Sequence, residues 1–293
     1  MRLLVTGSAG QVGSEVVRRL QGRAEVIAHD RRTLDLAQPD QIVARVREAR
    51  PDVIVSAGAY TAVDLAEKEA ALAHQVNGVA PGILADEAKR LGAVLIHFST
   101  DYVFDGTKDS PYVETDATSP VNAYGASKLA GERAIAATGC AHATLRTSWV
   151  YGPHGKNFML TMLRLAATRD ELRVVDDQRG APTSSLQLGE LVRELVEREL
   201  DAIRAKGGVY HATAAGETTW FGFAQAIFEA VARRRGAGFR MPRLVPIPSS
   251  EYPTPARRPA NSVLSNERLA AQLGVRLGDW RSALEEAVSA LPG

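Results

Sequence analysis

The stretch Thr6-Gly7-Ser8-Ala9-Gly10-Gln11-Val12-Gly13 constrains this chain more than any other. It stands between an aliphatic run, Arg2 to Thr6, that reads as a buried strand, and an amphipathic stretch, Gln11 to Leu20, that reads as a helix. Gly7, Gly10 and Gly13 allow a tight turn, close backbone approach to a diphosphate, and close helix–strand packing. The helix start at Gln11 and Val12 then offers free N–H groups and the positive end of its dipole to the anion. The spacing is G-x-x-G-x-x-G, and its place between strand and helix points to a dinucleotide site over a merely structural turn. After the second strand comes His29-Asp30-Arg31-Arg32. Asp30 suits an adenosine 2′-hydroxyl and Arg31 a 2′-phosphate, so the arginines tilt the expectation to NADPH, with NADH possible.

The alternation continues. Ala24 to His29, Asp52 to Ser56, Ala93 to Ser99 and Ala143 to Arg146 read as continuous aliphatic strands, as a parallel sheet covered on both faces requires. Helical stretches fall at Gln41 to Arg50, Lys68 to Leu91 and Tyr124 to Thr138. This pattern predicts an α/β, doubly wound parallel sheet (a Rossmann domain) over residues 1–150. A smaller mixed α/β substrate lobe is expected over 151–293, some of whose segments return to the sheet. In that second part Phe158 to Arg169 and Leu186 to Ala205 read as helices and Gly208 to Ala212 as a short strand. Pro242 to Pro259 holds six of the fourteen prolines and reads as irregular chain packed over a site.

Composition narrows the classes of partner. With 35 Lys plus Arg against 34 Asp plus Glu, the formal charge of +1 argues against a general nucleic-acid binder, while leaving room for a local basic pocket for a phosphorylated ligand. A single cysteine, Cys140, excludes an internal disulfide and a Cys-rich zinc site. No apolar run is long enough for a membrane span, and the first residues lack a signal-peptide pattern, so a cytoplasmic protein is expected.

Tyr124-Gly125-Ala126-Ser127-Lys128 carries the candidate chemistry. Positions i and i+4 share a helix face, so a phenol and an ammonium converge, and the ammonium is expected to lower the phenol's pKa for proton transfer to a carbonyl oxygen. Lys128 is also placed to reach a nicotinamide ribose. Thr100, at the carboxyl end of the fourth strand, is placed to hydrogen-bond the same carbonyl, or else serves as a strand-end cap. Asp101 and Tyr102 beside it are expected to shape the substrate pocket, or else to serve the turn after the strand.

The T-G-x-x-G-x-x-G loop, the strand ending Ser-Thr and the Tyr-x-x-x-Lys helix together resemble the extended short-chain dehydrogenase/reductases. The strings HFSTDYVFDG (His97 to Gly106), RTSWVY (Arg146 to Tyr151), DQRGAPT (Asp177 to Thr183) and YPTPARRP (Tyr252 to Pro259) resemble one branch of that family, the dTDP-4-dehydrorhamnose reductases. The resemblance implies reduction of the 4-keto group of dTDP-4-dehydro-L-rhamnose by NAD(P)H, with Thr100, Tyr124 and Lys128 at the reacting carbonyl and the nucleotide sugar between the lobes. It also implies that Ala57, Gly58, Ala59 and Thr61 line the cofactor; Asn77, on the next helix, is expected among the cofactor-binding residues and as a bridge from that helix to the active-site strand. A thymidine diphosphate needs cations and polar edges. Arg257 or Arg258 suits the diphosphate, Asn157, Gln178 and Arg179 suit the nucleotide, and Trp149 suits a wall against the sugar.

The chain departs from that branch in one respect. Members of it use carboxylates to bridge a metal-linked dimer; Glu15 stands at one such position, but Leu186 stands at another. Glu15 therefore reads as a solvated first-turn residue, with no metal expected and a homodimer left open. Arg233-Arg234-Arg235 reads as a solvated helix end. Other functions fit parts of the pattern: a non-catalytic dinucleotide-binding regulatory subunit, and a reductase, epimerase or dehydratase of another nucleotide sugar. Tyr102, where dehydratases of this kind carry Glu, disfavours dehydration, and the intact Thr, Tyr and Lys set favours catalysis.

Overall fold

The computed structural model describes residues 1–236 and 239–292. The first part of the chain runs β1 (Arg2–Thr6), α1 (Gln11–Leu20), β2 (Glu25–His29), α2 (Pro39–Ala49), β3 (Val53–Ser56), α3 (Val63–Ala66) and α4 (Ala70–His74). A π turn at Gln75–Val79 joins α4 to α5 (Ala80–Leu91), and β4 (Val94–Thr100), α6 (Ala123–Thr138) and β5 (His142–Thr147) follow. The second part runs β6 (Val150–Tyr151), α7 (Phe158–Ala166), β7 (Glu171–Val175), β8 (Arg179–Gly180), β9 (Thr183–Ser184), α8 (Ser185–Arg198), α9 (Leu200–Lys206) and β10 (Gly208–His211). It closes with β11 (Thr218–Thr219), α10 (Trp220–Arg235), β12 (Arg243–Ile247), α11 (Glu267–Leu273) and α12 (Trp280–Ser289).

Six strands form one parallel sheet in the order β10-β5-β4-β3-β1-β2. Alternation along each strand divides its core in two, as a sheet buried on both faces must. Leu3, Val5, Val53, Val55, Val94 and Ile96 face one helical layer, while Leu4, Ile54 and Leu95 face the other. The strand order reverses between β1 and β3, the switch point at which a crevice opens beyond the carboxyl ends. This is the doubly wound fold expected from the sequence.

The second part is less separate than a cut at residue 150 suggests. Helix α8 returns to cover the sheet with Leu188, Leu191, Val192 and Leu195, and β10 pairs beside β5. The remainder builds its own core around Tyr151, Met159, Phe223, Phe228 and Trp280. Within the proline-rich stretch, β12 pairs in parallel with β7, so that segment is partly regular. Pro246 is accommodated because a two-stranded ribbon leaves one side of each strand unpaired.

Packing of α8 on α1 also overturns the expectation for Glu15. The residue is buried, lies directly under Gly189 of α8, and accepts a hydrogen bond from the Arg18 guanidinium at 2.6 Å. Nor is the basic run at the end of α10 simply solvated: Arg233 pairs with Glu285, and Arg234 donates to the carbonyls of Val288 and Leu291, knitting α10 to α12.

Candidate active site

A cavity of about 790 Å³ opens at the switch point between the sheet and the second lobe. Its floor is the glycine loop. Gly7, at φ +67°, lies so close to the segment after β3 that a Cβ there would stand 2.5 Å from the Gly58 nitrogen. A Cβ on Gly13 would stand 2.2 Å from the Gly7 carbonyl oxygen, so these two glycines let α1, β1 and β3 meet at backbone distance. Helix α1 begins at Gly10 with no side-chain cap and no acidic residue in its first turn. Its free N–H groups and dipole form an anion seat lined by Gly10, Gln11 and Val12.

Ala57, Gly58, Ala59 and Thr61 line the same cavity, as do Asp30 and Arg31. The Asp30 carboxylate is engaged within its own turn. It accepts from the backbone N–H groups of Arg32 and Thr33 at 3.0 and 3.1 Å and pairs with the Arg32 guanidinium at 2.8 Å. The hydrogen bond from Arg32 holds it below the usual carboxylate range. Arg31 is left on the cavity wall as the cation. This arrangement favours a 2′-phosphate over a 2′-hydroxyl.

Asn77 does not reach the wall. It sits in the π turn, where Oδ1 accepts from the Tyr60 N–H at 2.8 Å and Nδ2 donates to the Tyr60 carbonyl and to Ser127 Oγ. Asn77 thus straps the loop after β3 to α6.

Helix α6 carries Tyr124 and Lys128, and its start is fixed tightly. Asn122 caps it by accepting from the Gly125 N–H at 2.8 Å. A Cβ on Gly125 would stand 2.1 Å from the Tyr102 carbonyl oxygen, so the helix seats directly on the turn after β4. This brings Thr100, Asp101, Tyr102, Tyr124 and Lys128 together on the cavity wall. Thr100 caps the turn by accepting from the Tyr102 N–H at 3.2 Å, and its hydroxyl donates to Asp101 Oδ1 at 2.9 Å. The Tyr102 and Tyr124 rings meet edge to face at 5.8 Å.

The electrostatics differ from the sequence expectation. The Tyr124 phenol is pushed up to about 12, first by burial and then by the Asp101 charge, with the Thr100 hydroxyl opposing. Lys128 does not lower it here, because Nζ donates to the Phe98 carbonyl at 2.6 Å and lies 3.3 Å from His97 Nε2. Burial brings Lys128 down to about 8, with Glu132 opposing. Asp101 is raised to about 6 by burial, against the pull of Ser262 and Thr100. At neutral pH the phenol keeps its proton and the lysine is largely an ammonium.

Five residues expected at the nucleotide lie off the wall. Asn157 caps α7 by accepting from the Leu160 N–H at 3.0 Å, and its amide donates to Gln11 Oε1 at 2.9 Å. Gln178 accepts from Trp220 Nε1 at 3.2 Å and donates to Ser249 Oγ. Arg179 pairs with Glu217, and Arg257 is exposed, contributing its carbonyl to Asn122 Nδ2 at 2.8 Å. Arg258 is held by Asp64 at 2.9 Å.

Trp149 does line the cavity, with backbone φ at +48°. Its ring stacks on Trp220 at 3.6 Å and 8° between planes. Trp220 and Lys156 also line the wall and were not singled out by the sequence. Trp220 comes from the first turn of α10, and no local spacing marks a stacking partner 71 positions away.

Known proteins match this chain over nearly its whole length. A model described as the RmlD substrate binding domain matches residues 1–292. The chain belongs to the RmlD substrate-binding-domain family. A dTDP-4-dehydrorhamnose reductase of Burkholderia thailandensis is 52% identical over 290 residues, covering 97% of both chains. Among solved structures of this kind, a dTDP-4-dehydrorhamnose reductase from Clostridium acetobutylicum superposes with a TM-score of 0.91 at 36% identity, covering 99% of each chain. One from Bacillus anthracis, in complex with NADP, gives 0.89 at 33% identity over 98% of each. Among the described residues no helix of this family member is long and apolar enough to cross a membrane.

Proposed function

We propose that this chain reduces the 4-keto group of dTDP-4-dehydro-L-rhamnose to give dTDP-L-rhamnose, with NADPH as reductant. The observation that carries the reading is the convergence of Thr100, Tyr124 and Lys128 on a cavity that the glycine loop and Arg31 also line. The substrate is the one for which the relatives above are named.

The glycine loop and the open start of α1 hold the dinucleotide diphosphate, and Arg31 holds its 2′-phosphate. When bound, the nicotinamide supplies the hydride to the sugar C4. Tyr124 gives its proton to the oxygen on which negative charge develops. A phenol held up at about 12 suits this direction, because the acid stays intact until a stronger base forms beside it. Thr100 turns its hydroxyl from Asp101 to the same oxygen. Lys128 stands one helical turn from Tyr124 and is the group that would hold the nicotinamide ribose. The stacked Trp149 and Trp220 provide a flat apolar wall for the nucleotide sugar.

The test is NADPH oxidation at 340 nm with dTDP-4-dehydro-L-rhamnose generated in situ by an epimerase. Wild type should turn over, and Tyr124→Phe should lower kcat about 100-fold or more while leaving the NADPH Kd nearly unchanged. A Tyr124→Phe enzyme with near-normal kcat would show that another group is the acid. Tight NADPH binding without any oxidation would point to a binding subunit instead.

A further inference from the structure

Behind the reacting residues, and off the cavity, lies an ion pair that the mechanism above does not use. Arg146 on β5 donates to both carboxylate oxygens of Glu132 on α6, at 3.0 and 2.7 Å, and both side chains are only 4% exposed. Ser99 on β4 donates to the same carboxylate at 2.5 Å. The fork therefore ties three elements at one point. Ser99 and Arg146 are register partners, and the next pair along is Thr100 with Thr147. Glu132 lies one helical turn beyond Lys128, as Lys128 lies one turn beyond Tyr124. A buried pair of this kind is poor evidence for stability, since well-packed apolar residues commonly replace one without loss. Its directional fork does something packing cannot: it fixes how far α6 sits along β4.

We propose that the Glu132–Arg146 pair, with Ser99, is a positioning device that sets Lys128 and Tyr124 of α6 against Thr100 of β4. It acts through the backbone elements and through Lys128: the ion pair lies off the cavity, and of the three residues only Ser99 reaches the wall. Lys128 is faced by His97 and the Phe98 carbonyl from β4 and by Glu132 from its own helix, with Arg146 of β5 behind that carboxylate. Glu132 is thus the anion that favours the charged form of Lys128. This inference rests on the reductase reading for which residues react.

Single substitutions leave a buried charge unpaired and report on folding alone. The informative variant is the double replacement Glu132→Leu with Arg146→Met. It should melt close to wild type and bind NADPH within about twofold, yet have kcat lowered about 10- to 100-fold, as a misplacement of the order of an ångström brings. A folded double variant with wild-type kcat overturns the proposal. Should the double variant fail to fold, Ser99→Ala removes one tie only, and because Ser99 also reaches the cavity wall its effect counts as positioning where KM for the sugar stays unchanged. A several-fold loss of kcat at unchanged NADPH Kd then supports the proposal, and an unchanged kcat overturns it. If wild type shows no turnover of this nucleotide sugar, the reductase reading has failed, and Lys128 decides without substrate. Its ionisation, followed by NMR with labelled lysine and assigned by its loss in Lys128→Met, moves to lower pH in the folded double variant, which lacks Glu132, if the proposal holds and stays put if it does not.

Discussion

Lys128 should cost this protein stability, and its replacement by methionine should make the fold firmer while destroying turnover. The side chain is 2% exposed, and burial brings its ammonium from an ordinary 10.5 down to about 8. A tenfold change in a protonation constant is worth about 1.36 kcal/mol, so holding the charge in the folded state costs about 3 kcal/mol at pH 7. Because the folded-state value lies below the unfolded one, the penalty is absent above the unfolded pKa, grows as pH falls from there to the folded value, and is complete below it. Methionine of similar length removes it. The replacement also leaves the Phe98 carbonyl without its donor, a loss of about 1–2 kcal/mol that does not depend on pH. The difference between conditions isolates the charge. Thermal unfolding of wild type and Lys128→Met at pH 7 and at pH 10 should show the variant's advantage shrinking by about 2–3 kcal/mol, at roughly 2–4 °C per kcal/mol. NADPH oxidation by the variant should fall about 100-fold or more. A stability difference that stays constant between the two pH values would refute the claim that Lys128 is held as a buried, destabilised cation.

Arg31→Ala should raise the Kd for NADPH about tenfold or more and leave that for NADH nearly unchanged, since only the 2′-phosphate loses a charged partner. Fluorescence titration with both nucleotides checks this, and equal weakening of both would place Arg31 elsewhere. Gly13→Ala should destabilise the fold by about 1–3 kcal/mol through overpacking and weaken both dinucleotides together. The added Cβ would stand 2.2 Å from the Gly7 carbonyl oxygen and force α1 from the loop. Melting curves and the same titrations decide it.

What the sequence determined by itself was local. The β1–loop–α1 unit is written in consecutive residues, because a buried run, three glycines and an amphipathic stretch each act over a few positions. The convergence of Tyr124 and Lys128 follows from helical pitch, and the place of Thr100 from the end of a strand. The alternation of strands and helices was enough to predict the doubly wound sheet. Tertiary structure decided where each polar side chain finds its partner. Asn157 and Gln178 carry the chemistry of nucleotide ligands, yet a helix start and the Trp220 indole take up their hydrogen bonds in this structure. Glu15 reads as a surface residue until α8, some 170 positions on, lies over it. Lys128 was expected to lower the Tyr124 pKa, but the Phe98 carbonyl is its nearer partner and burial governs both groups. The reason is common to all of these. Backbone geometry fixes which neighbours in sequence share a face, whereas burial, and the hydrogen bonds that burial makes obligatory, depend on segments that only the packed chain brings together.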